Sequence, residues 1–128
     1  MRDWAWIGSD AALAAHAEQL AEHGGADGVR DLGALESALA RPVNLAADGE
    51  PDAAALAAAY AFGIARNHPF VDGNKRTAAV VSVAFLFINS LECSATPPEL
   101  TVAFLALAAG ELSEDEMAHW FRRHISAG

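Results

Sequence analysis

Side chains that could carry out a reaction are concentrated in one short segment, Asn-His-Pro-Phe-Val-Asp-Gly-Asn-Lys-Arg-Thr, which runs from Asn67 to Thr77. The imidazole of His68 can take a proton from a hydroxyl near neutral pH if the chain holds it within reach. The carboxylate of Asp72 can coordinate Mg²⁺, which favours one or two carboxylates together with nucleotide phosphates. The segment therefore contains a candidate general base and a candidate metal ligand.

The second half of this segment is suited to binding an anion. Gly73 can adopt a positive φ angle, and a helix that begins at Asn74 would present unpaired N–H groups and the positive end of its dipole. Lys75 adds a point charge in the first turn, and Arg76 adds a planar guanidinium that can bind two phosphate oxygens. We therefore expect nucleotide contacts from Gly73, Asn74, Lys75, Arg76 and Thr77.

The distribution of charge makes this site stand out. The chain has 8 Lys and Arg against 17 Asp and Glu, which gives a net charge of −9. Residues 66–76 carry three cations and one carboxylate, so they contribute +2 and the rest of the chain carries −11. The acidic remainder argues against direct binding to DNA or to anionic membranes, whereas the local positive charge suits phosphate groups.

Each of these features has a simpler explanation when it is taken alone. A histidine before a proline is often a turn residue, an Asp-Gly-Asn run is often only a tight turn, and two cations at a helix start are often just solvated. Their joint spacing favours transfer of a phosphorus-containing group, because that chemistry depends on positioning and charge neutralisation.

Helices must position this segment. A chain of 128 residues with 53% hydrophobic residues, in which alanine is the most frequent type, is typical of an all-α fold. We expect residues 1–128 to form a compact single-domain helical bundle of about six helices. Apolar periodicity and capping residues place these helices at 10–23, 31–40, 51–67, 74–89, 96–110 and from 113 towards the end of the chain.

Three details of this bundle follow from particular residues. Pro42 is expected to end the second helix, which leaves residues 41–52 as an ordered surface loop. Gly63, inside the third helix, indicates a close contact with another helix. The fourth helix is apolar on nearly every face, from Val80 to Ile88, and this pattern predicts that it lies at the centre of the bundle.

Other classes of protein are disfavoured. Cys93 is the single cysteine, so the chain can form no internal disulfide and no zinc site with several thiolates. No apolar run reaches the roughly 20 residues that span a bilayer. The first residues do not resemble a secretory signal, and we therefore expect a cytoplasmic protein.

The segment from His68 to Arg76 closely resembles the signature of the Fic/Doc family, His-x-Phe-x-Asp/Glu-Gly-Asn-Gly/Lys-Arg. A looser resemblance extends over most of the chain, including Gly24-Gly25 after the first helix and Arg41-Pro42. Lysine at the position of Lys75 is typical of the Doc toxins. The resemblance implies a small six-helix Fic/Doc domain that is encoded beside an antitoxin.

The resemblance also implies a role for each residue of the signature. His68 would be the general base that deprotonates a target hydroxyl, and Asp72 would hold Mg²⁺. Phe70 would anchor the loop in the core. The residues that would form the anion-binding turn and contact the phosphates of ATP are Gly73, Asn74, Lys75 and Arg76.

Two positions separate the activities known in this family. Members with glycine at the position of Lys75, and with arginine at that of Ala79, usually transfer AMP. The residues present here imply the Doc activity, in which the γ-phosphoryl group of ATP passes to a threonine of elongation factor Tu and translation stops. An AMP transferase and a catalytically silent binding module remain alternatives.

The resemblance implies two partners. No Ser/Thr-x-x-x-Glu-Gly/Asn element of the self-inhibited Fic proteins occurs in the sequence. The implied inhibitor is therefore a separate, Phd-like antitoxin that folds onto the toxin. Residues 41–52 fall where the family has a flap that pairs with an extended segment of the target.

The remaining candidates are less specific. His16 and His23 share a helix face, and His119 and His124 lie near each other in the last helix, so either pair could bind a metal. We interpret them instead as surface residues, because no carboxylate or thiol completes either set at ligand spacing. Arg66 could contact a phosphate or the antitoxin, or could have only a surface role.

Overall fold

A computed structural model describes residues 3–128 of the chain. Six helices and two short strands follow one another in the order α1 (Ser9–His23), α2 (Leu32–Ala47), α3 (Ala53–Asn67), α4 (Asn74–Ile88), β1 (Leu91–Cys93), α5 (Pro97–Ala108), α6 (Glu114–Arg122) and β2 (Ile125–Ala127). The expected all-α bundle of six helices is confirmed. The two strands, which the sequence did not predict, pair antiparallel, with Glu92 opposite Ser126.

Side-chain caps fix where most of the helices begin. Asp31 accepts a hydrogen bond from the Ala34 amide at the start of α2, and Asp52 accepts one from the Ala55 amide at the start of α3. The start of α5 is a capping box between Thr96 and Glu99, and α6 begins with the same arrangement of Ser113 and Glu116. Both capping boxes are as the sequence predicts, and each satisfies two backbone donors that a helix start leaves unpaired.

The centre of the bundle is α3, and the expectation that α4 holds this place is wrong. Eleven of the fifteen residues of α3 are buried, and it contacts α2, α4, α5 and α6. Its side chains are mostly alanine, so four neighbours can approach it closely. The larger side chains of α4 are buried on one side only, and Phe87 and Ile88 at its end are 74% and 42% exposed.

The second helix does not end before Pro42 but continues to Ala47, so residues 41–47 are helical rather than a loop. A proline inside a helix costs about 3 kcal/mol because it removes a backbone hydrogen bond. Burial of Leu35, Ala38, Leu39 and Pro42 on the face that packs against α3 offsets this cost.

The close helix contact expected at Gly63 is present. A Cβ atom at Gly63 would lie 3.0 Å from both Cα and Cβ of Ala38. Because Gly63 has no side chain, α2 and α3 can approach until their backbones nearly touch.

The N-terminal segment closes the end of the bundle opposite the His68–Thr77 segment. The rings of Trp4 and Trp6 both lie with their centroids 5.8 Å from that of Phe85 in α4. The side-chain amide of Asn89 exchanges two hydrogen bonds with the backbone of Ala5. Within residues 3–128, no helix has the length and hydropathy required to cross a membrane.

Candidate active site

The segment expected to carry the chemistry forms the connection between α3 and α4. Phe70 lies in the core, 1% exposed, and confirms the prediction that it points inward. The side chain of Asn74 accepts a hydrogen bond from the Phe70 amide and donates one to the Phe70 carbonyl, each at 3.0 Å. The Asn74 side chain therefore closes the loop through one donor and one acceptor.

His68 ends α3 in the left-handed conformation, with φ 49° and ψ 57°, and its side chain is exposed. Such a backbone costs a non-glycine residue about 1 kcal/mol or more and persists only where its surroundings hold it. Arg30 supplies that support. Its guanidinium donates to the carbonyl oxygens of His68 at 2.7 Å and of Asn67 at 2.8 Å. The two bonds also place a cation at the negative end of the α3 dipole.

Arg30 belongs to an extended segment, residues 24–31, that lies against the connection between α3 and α4 (residues 68–73), here called the motif loop. Val29 forms an isolated antiparallel bridge with Phe70, and the amides of Arg30 and Asp31 both donate to the Pro69 carbonyl. This segment, and not residues 41–52, is the extended chain beside the site. The sequence expectation of a flap at 41–52 is therefore wrong, because α2 occupies most of that stretch.

His16 in α1 is buried beneath the motif loop, contrary to the interpretation of His16 as a surface residue. It is 4% exposed, and its ring stacks on that of Phe70 with a centroid distance of 3.8 Å and an interplanar angle of 6°. Its Nε2 lies 2.8 Å from the carbonyl oxygen of Asp72. No signal in a single sequence pairs a helix histidine with a loop 56 residues away.

The carboxylate of Asp72 is exposed and points away from the core. Its Oδ1 accepts from the Gly73 amide at 2.8 Å, and its Oδ2 accepts from the Ala26 amide at 3.4 Å. These amides, Gly73 first, hold the pKa of Asp72 below its usual value, and the charges of Arg76 and Lys75 act in the same direction. The group is therefore an anion at neutral pH.

This donor set suits a magnesium ion that is bound together with a nucleotide. Residues 3–128 contain no group of three or more His, Cys, Asp or Glu side chains that could hold a metal. One carboxylate is enough for Mg²⁺ when phosphates and water supply its remaining ligands. The site could thus hold the ion only in partnership with phosphate groups.

The start of α4 is open to an anion. Gly73 precedes it in the left-handed region, with φ 77°, and no side chain caps it. The first backbone hydrogen bond of α4 runs from the Thr77 amide to the Gly73 carbonyl at 3.0 Å. The amides of Asn74, Lys75 and Arg76 precede this bond and therefore have no acceptor within the helix. The side chains of Lys75 and Arg76 are exposed beside them. The start of α4 thus combines free backbone N–H groups, the positive end of the helix dipole and two cationic side chains, which together favour binding of an anion.

Thr77 departs from the expectation that it contacts the nucleotide. Its side chain is fully buried, and its Oγ1 has no hydrogen-bond partner within residues 3–128. The backbone amide of Thr77 is already bonded to Gly73. Neither group faces the surface where Lys75 and Arg76 lie.

Of the other candidate residues, the exposed His23 of α1 lines a groove together with Lys75 and Arg76, whereas His119, His124 and Arg66 contact other parts of the chain. His119 contacts Arg122, and His124 contacts the Trp120 carbonyl, so neither forms part of a metal cluster in the described chain. Arg66 lies with its guanidinium carbon 5.2 Å from the centroid of the Phe62 ring. The half-buried Ala79 lines a groove of about 460 Å³ that also includes Lys75 and Arg76.

Comparison with known proteins decides the family. The model of the Fic/DOC family matches residues 6–86, which include the whole motif and α1 to α3. The chain belongs to the Fic/DOC family. Its signature His68–Arg76 is the Fic/DOC motif, and the resemblance seen in the sequence is confirmed.

Two curated relatives in the Fic/DOC family are Doc proteins. The chain is 31% identical over 118 residues to "Protein kinase doc" of Escherichia phage P1, an alignment that covers 91% of this chain and 93% of that protein. It is 45% identical over 74 residues to "Toxin Doc" of Mycolicibacterium smegmatis, which covers 56% of this chain and 57% of that toxin. The second alignment spans little more than half of the toxin's length. Both names favour the Doc branch of the family.

Proposed function

We propose that this Fic/DOC protein is the toxin of a toxin–antitoxin pair and that it transfers the γ-phosphoryl group of ATP to a threonine hydroxyl of elongation factor Tu. The observation that carries the proposal is the uncapped start of α4, where the exposed side chains of Lys75 and Arg76 flank free amides, six residues after the exposed His68. The relative named "Toxin Doc" supports the toxin role, and the relative named "Protein kinase doc" supports a phosphotransferase activity.

His68 is the base in this proposal. Its side chain is exposed, while Arg30 holds its backbone, so the imidazole can meet a hydroxyl that arrives from solvent. As the hydroxyl oxygen forms its bond to the γ-phosphorus, His68 takes the proton. The bond from that phosphorus to the β,γ-bridging oxygen breaks, and ADP leaves with the electron pair.

Lys75, Arg76 and the first amides of α4 stabilise the charge that this reaction spreads over the phosphate oxygens. Fixed donors are effective here because they require no reorganisation when the charge develops. Arg76 can bind two oxygens at once, and Lys75 supplies a compact charge beside it.

Asp72 would hold Mg²⁺, whose positive charge neutralises the phosphates of a bound nucleotide. The chain's own contribution is the placement of the carboxylate. Hydrogen bonds from the amides of Gly73 and Ala26 fix its two oxygens and keep it ionised.

Lys75 and Ala79 favour phosphoryl transfer over AMP transfer. In the resemblance drawn from the sequence, AMP transferases have a glycine and a second arginine at these two positions. Ala79 brings no charge to the groove beside Lys75 and Arg76. Among residues 3–128, the lysine and arginine side chains that line this groove are Lys75 and Arg76, both in the first turn of α4, and this placement suits a terminal phosphoryl group presented there.

The partner that restrains the toxin is proposed to be a separate, Phd-like antitoxin. A largely apolar groove runs between α4 and α5, past Val80 and Leu100, and ends at the cations Lys75 and Arg76. An amphipathic segment with an apolar stripe and a carboxylate at one end complements this surface. Leu105→Asp, a change to a half-exposed residue of the groove, should weaken antitoxin binding at least tenfold in calorimetry.

The flap that receives the target is proposed to be residues 24–31. Within this segment Gly28 accepts a bond from the Val71 amide, which leaves the other side of the extended chain to pair with an incoming strand. The hydroxyl of such a strand would pass close to His68.

The test is the fate of labelled ATP. The protein is incubated with Mg²⁺, purified elongation factor Tu and ATP labelled at either the α or the γ phosphate. Label from the γ position on a threonine supports the proposal, and His68→Ala should slow the transfer by about 10²- to 10⁴-fold. Label from the α position would instead identify an AMP transferase, and no label from either position would indicate a binding module.

A further inference from the structure

His16 joins α1 to two residues of the motif loop at once. Its ring lies flat on Phe70, and its Nε2 lies 2.8 Å from the carbonyl oxygen of Asp72. A carbonyl oxygen only accepts, so Nε2 carries the proton and donates. Within residues 3–128 no other group donates to this carbonyl, because the helical ladder of α4 begins one residue later, at the Gly73 carbonyl.

The peptide that His16 holds is the one that opens the anion site. The same Asp72–Gly73 peptide carries the amide that binds Oδ1 of the Asp72 carboxylate. Gly73 itself lies over the imidazole, where a Cβ atom would be 3.6 Å from Cδ2 of His16. A rotation of this peptide would move both the carboxylate and the first free amides of α4.

We propose that His16 is a positioning residue of the active site, whose Nε2–H bond sets the orientation of the 72–73 peptide and so aligns Asp72 with the start of α4. The inference rests on the proposed phosphoryl transfer. It assigns a role to a residue outside the signature, in a helix that contributes no group to the reaction itself.

A purely structural role for His16 predicts a different response to mutation. If the residue only fills the core, the stacked ring is what matters and the nitrogen is dispensable. His16→Phe keeps a ring over Phe70 and removes the donor. His16→Gln removes the ring and places an amide nitrogen close to the position of Nε2. The two substitutions therefore separate packing from hydrogen bonding.

The kinetic test compares these variants with the wild-type protein in γ-phosphoryl transfer at saturating Mg²⁺ and ATP. Loss of a group that orients a ligand-binding residue commonly costs about 10- to 100-fold. We expect His16→Phe to lose kcat by about this factor while its melting temperature stays near that of wild type, and His16→Gln to recover most of the kcat. Glu18→Gln, on the exposed face of the same helix, is the matched control and should be unchanged.

A second readout does not depend on activity. The amides of Gly73 and Ala26 both bind the Asp72 carboxylate, so their ¹⁵N–¹H resonances report its position in the free protein. We expect both resonances to shift in His16→Phe and to stay near their wild-type positions in His16→Gln.

The two readouts distinguish failure of this inference from failure of the proposed function. If the wild-type protein transfers no phosphoryl group but the resonances respond as expected, the reaction is misassigned and the role of His16 in placing Asp72 stands. If His16→Phe matches the wild type in both readouts, or if His16→Gln is the more impaired variant in both, the inference is overturned.

Discussion

The guanidinium of Arg30 donates a hydrogen bond of 2.7 Å to the carbonyl oxygen of His68, the residue proposed as general base. His68 has positive φ, and Arg30 also binds the preceding carbonyl of Asn67. Arg30 thus stabilises the turn that presents the imidazole, although it lies 38 residues away in the sequence.

Removal of the Arg30 side chain should therefore lower the rate of phosphoryl transfer strongly and the free energy of unfolding only slightly. Arg30→Ala is expected to lower phosphoryl transfer about tenfold or more, because the base is no longer held in place. Its two exposed hydrogen bonds should contribute about 1 kcal/mol to the free energy of unfolding. Denaturant titration measures the second quantity. Arg123→Ala, which removes the same charge from the end of α6, should leave transfer unchanged, and an equal loss in both variants would contradict the assignment.

The motif is recognisable in the sequence, whereas the residues that support it are not. The segment from His68 to Arg76 could be recognised because its residues are contiguous. His16 and Arg30 act through contacts across 56 and 38 residues, and no local pattern reveals such contacts. The prediction that Pro42 ends α2 was wrong for a related reason. The cost of a proline inside a helix depends on the local backbone, whereas the burial that offsets this cost depends on packing against α3.

Capping boxes were predictable because they depend on neighbours in sequence. The box that begins at Thr96 and the one that begins at Ser113 both form as expected. The choice between α3 and α4 as the central helix was not predictable from hydrophobicity. Both are apolar, and only the small alanines of α3 allow neighbours on every side.

Gly25 provides a test of the Asp72 carboxylate. It has φ 122°, and a Cβ atom there would lie 2.8 Å from Oδ2 of Asp72. Gly25→Ala should displace the carboxylate and weaken the dependence of transfer on Mg²⁺, raising the Mg²⁺ concentration for half-maximal rate about tenfold. Gly24→Ala is the comparison, since it shares a positive φ but has open space around it. If both variants respond equally to Mg²⁺, the contact with Asp72 is not responsible.

Gly63→Ala should destabilise the protein although alanine favours helices. The added methyl group would meet the backbone of Ala38 at 3.0 Å, and such overpacking costs about 1–3 kcal/mol, more than the roughly 1 kcal/mol gained in helix propensity. Thermal unfolding followed by circular dichroism measures the difference. Gly49→Ala, at a site with nothing within 4 Å, should be close to neutral. A Gly63→Ala protein that melts higher than wild type would show that α2 and α3 can move apart freely.

The ion pair between Asp52 and Arg122 predicts a pH dependence of stability. The hydrogen-bonded guanidinium of Arg122 lowers the pKa of Asp52 from its usual 3.8. A depressed carboxyl pKa contributes stability above the unfolded value, and this contribution is lost as pH falls through the folded value.

The relevant measurement is urea unfolding of the wild type and of Arg122→Gln between neutral pH and the acid limit of folding. The wild type should be more stable by about 0.5 kcal/mol at neutral pH, a value typical of exposed pairs. This advantage should decrease as pH falls below the usual pKa of aspartate and vanish once pH is below the lowered pKa of Asp52 in the folded protein. Arg123→Gln serves as control because its neighbour Arg122, not Arg123, binds Asp52. An advantage that persists in acid would contradict the role of the pair.

The most direct test of the proposed active site is a crystal structure of the wild-type protein with Mg²⁺ and a non-hydrolysable ATP analogue. We expect the phosphates to accept hydrogen bonds from the amides of Asn74, Lys75 and Arg76, with Mg²⁺ between them and Asp72. Density for the nucleotide at another surface, such as the groove beside Trp4 and Trp6, with none at the start of α4, would contradict the proposal.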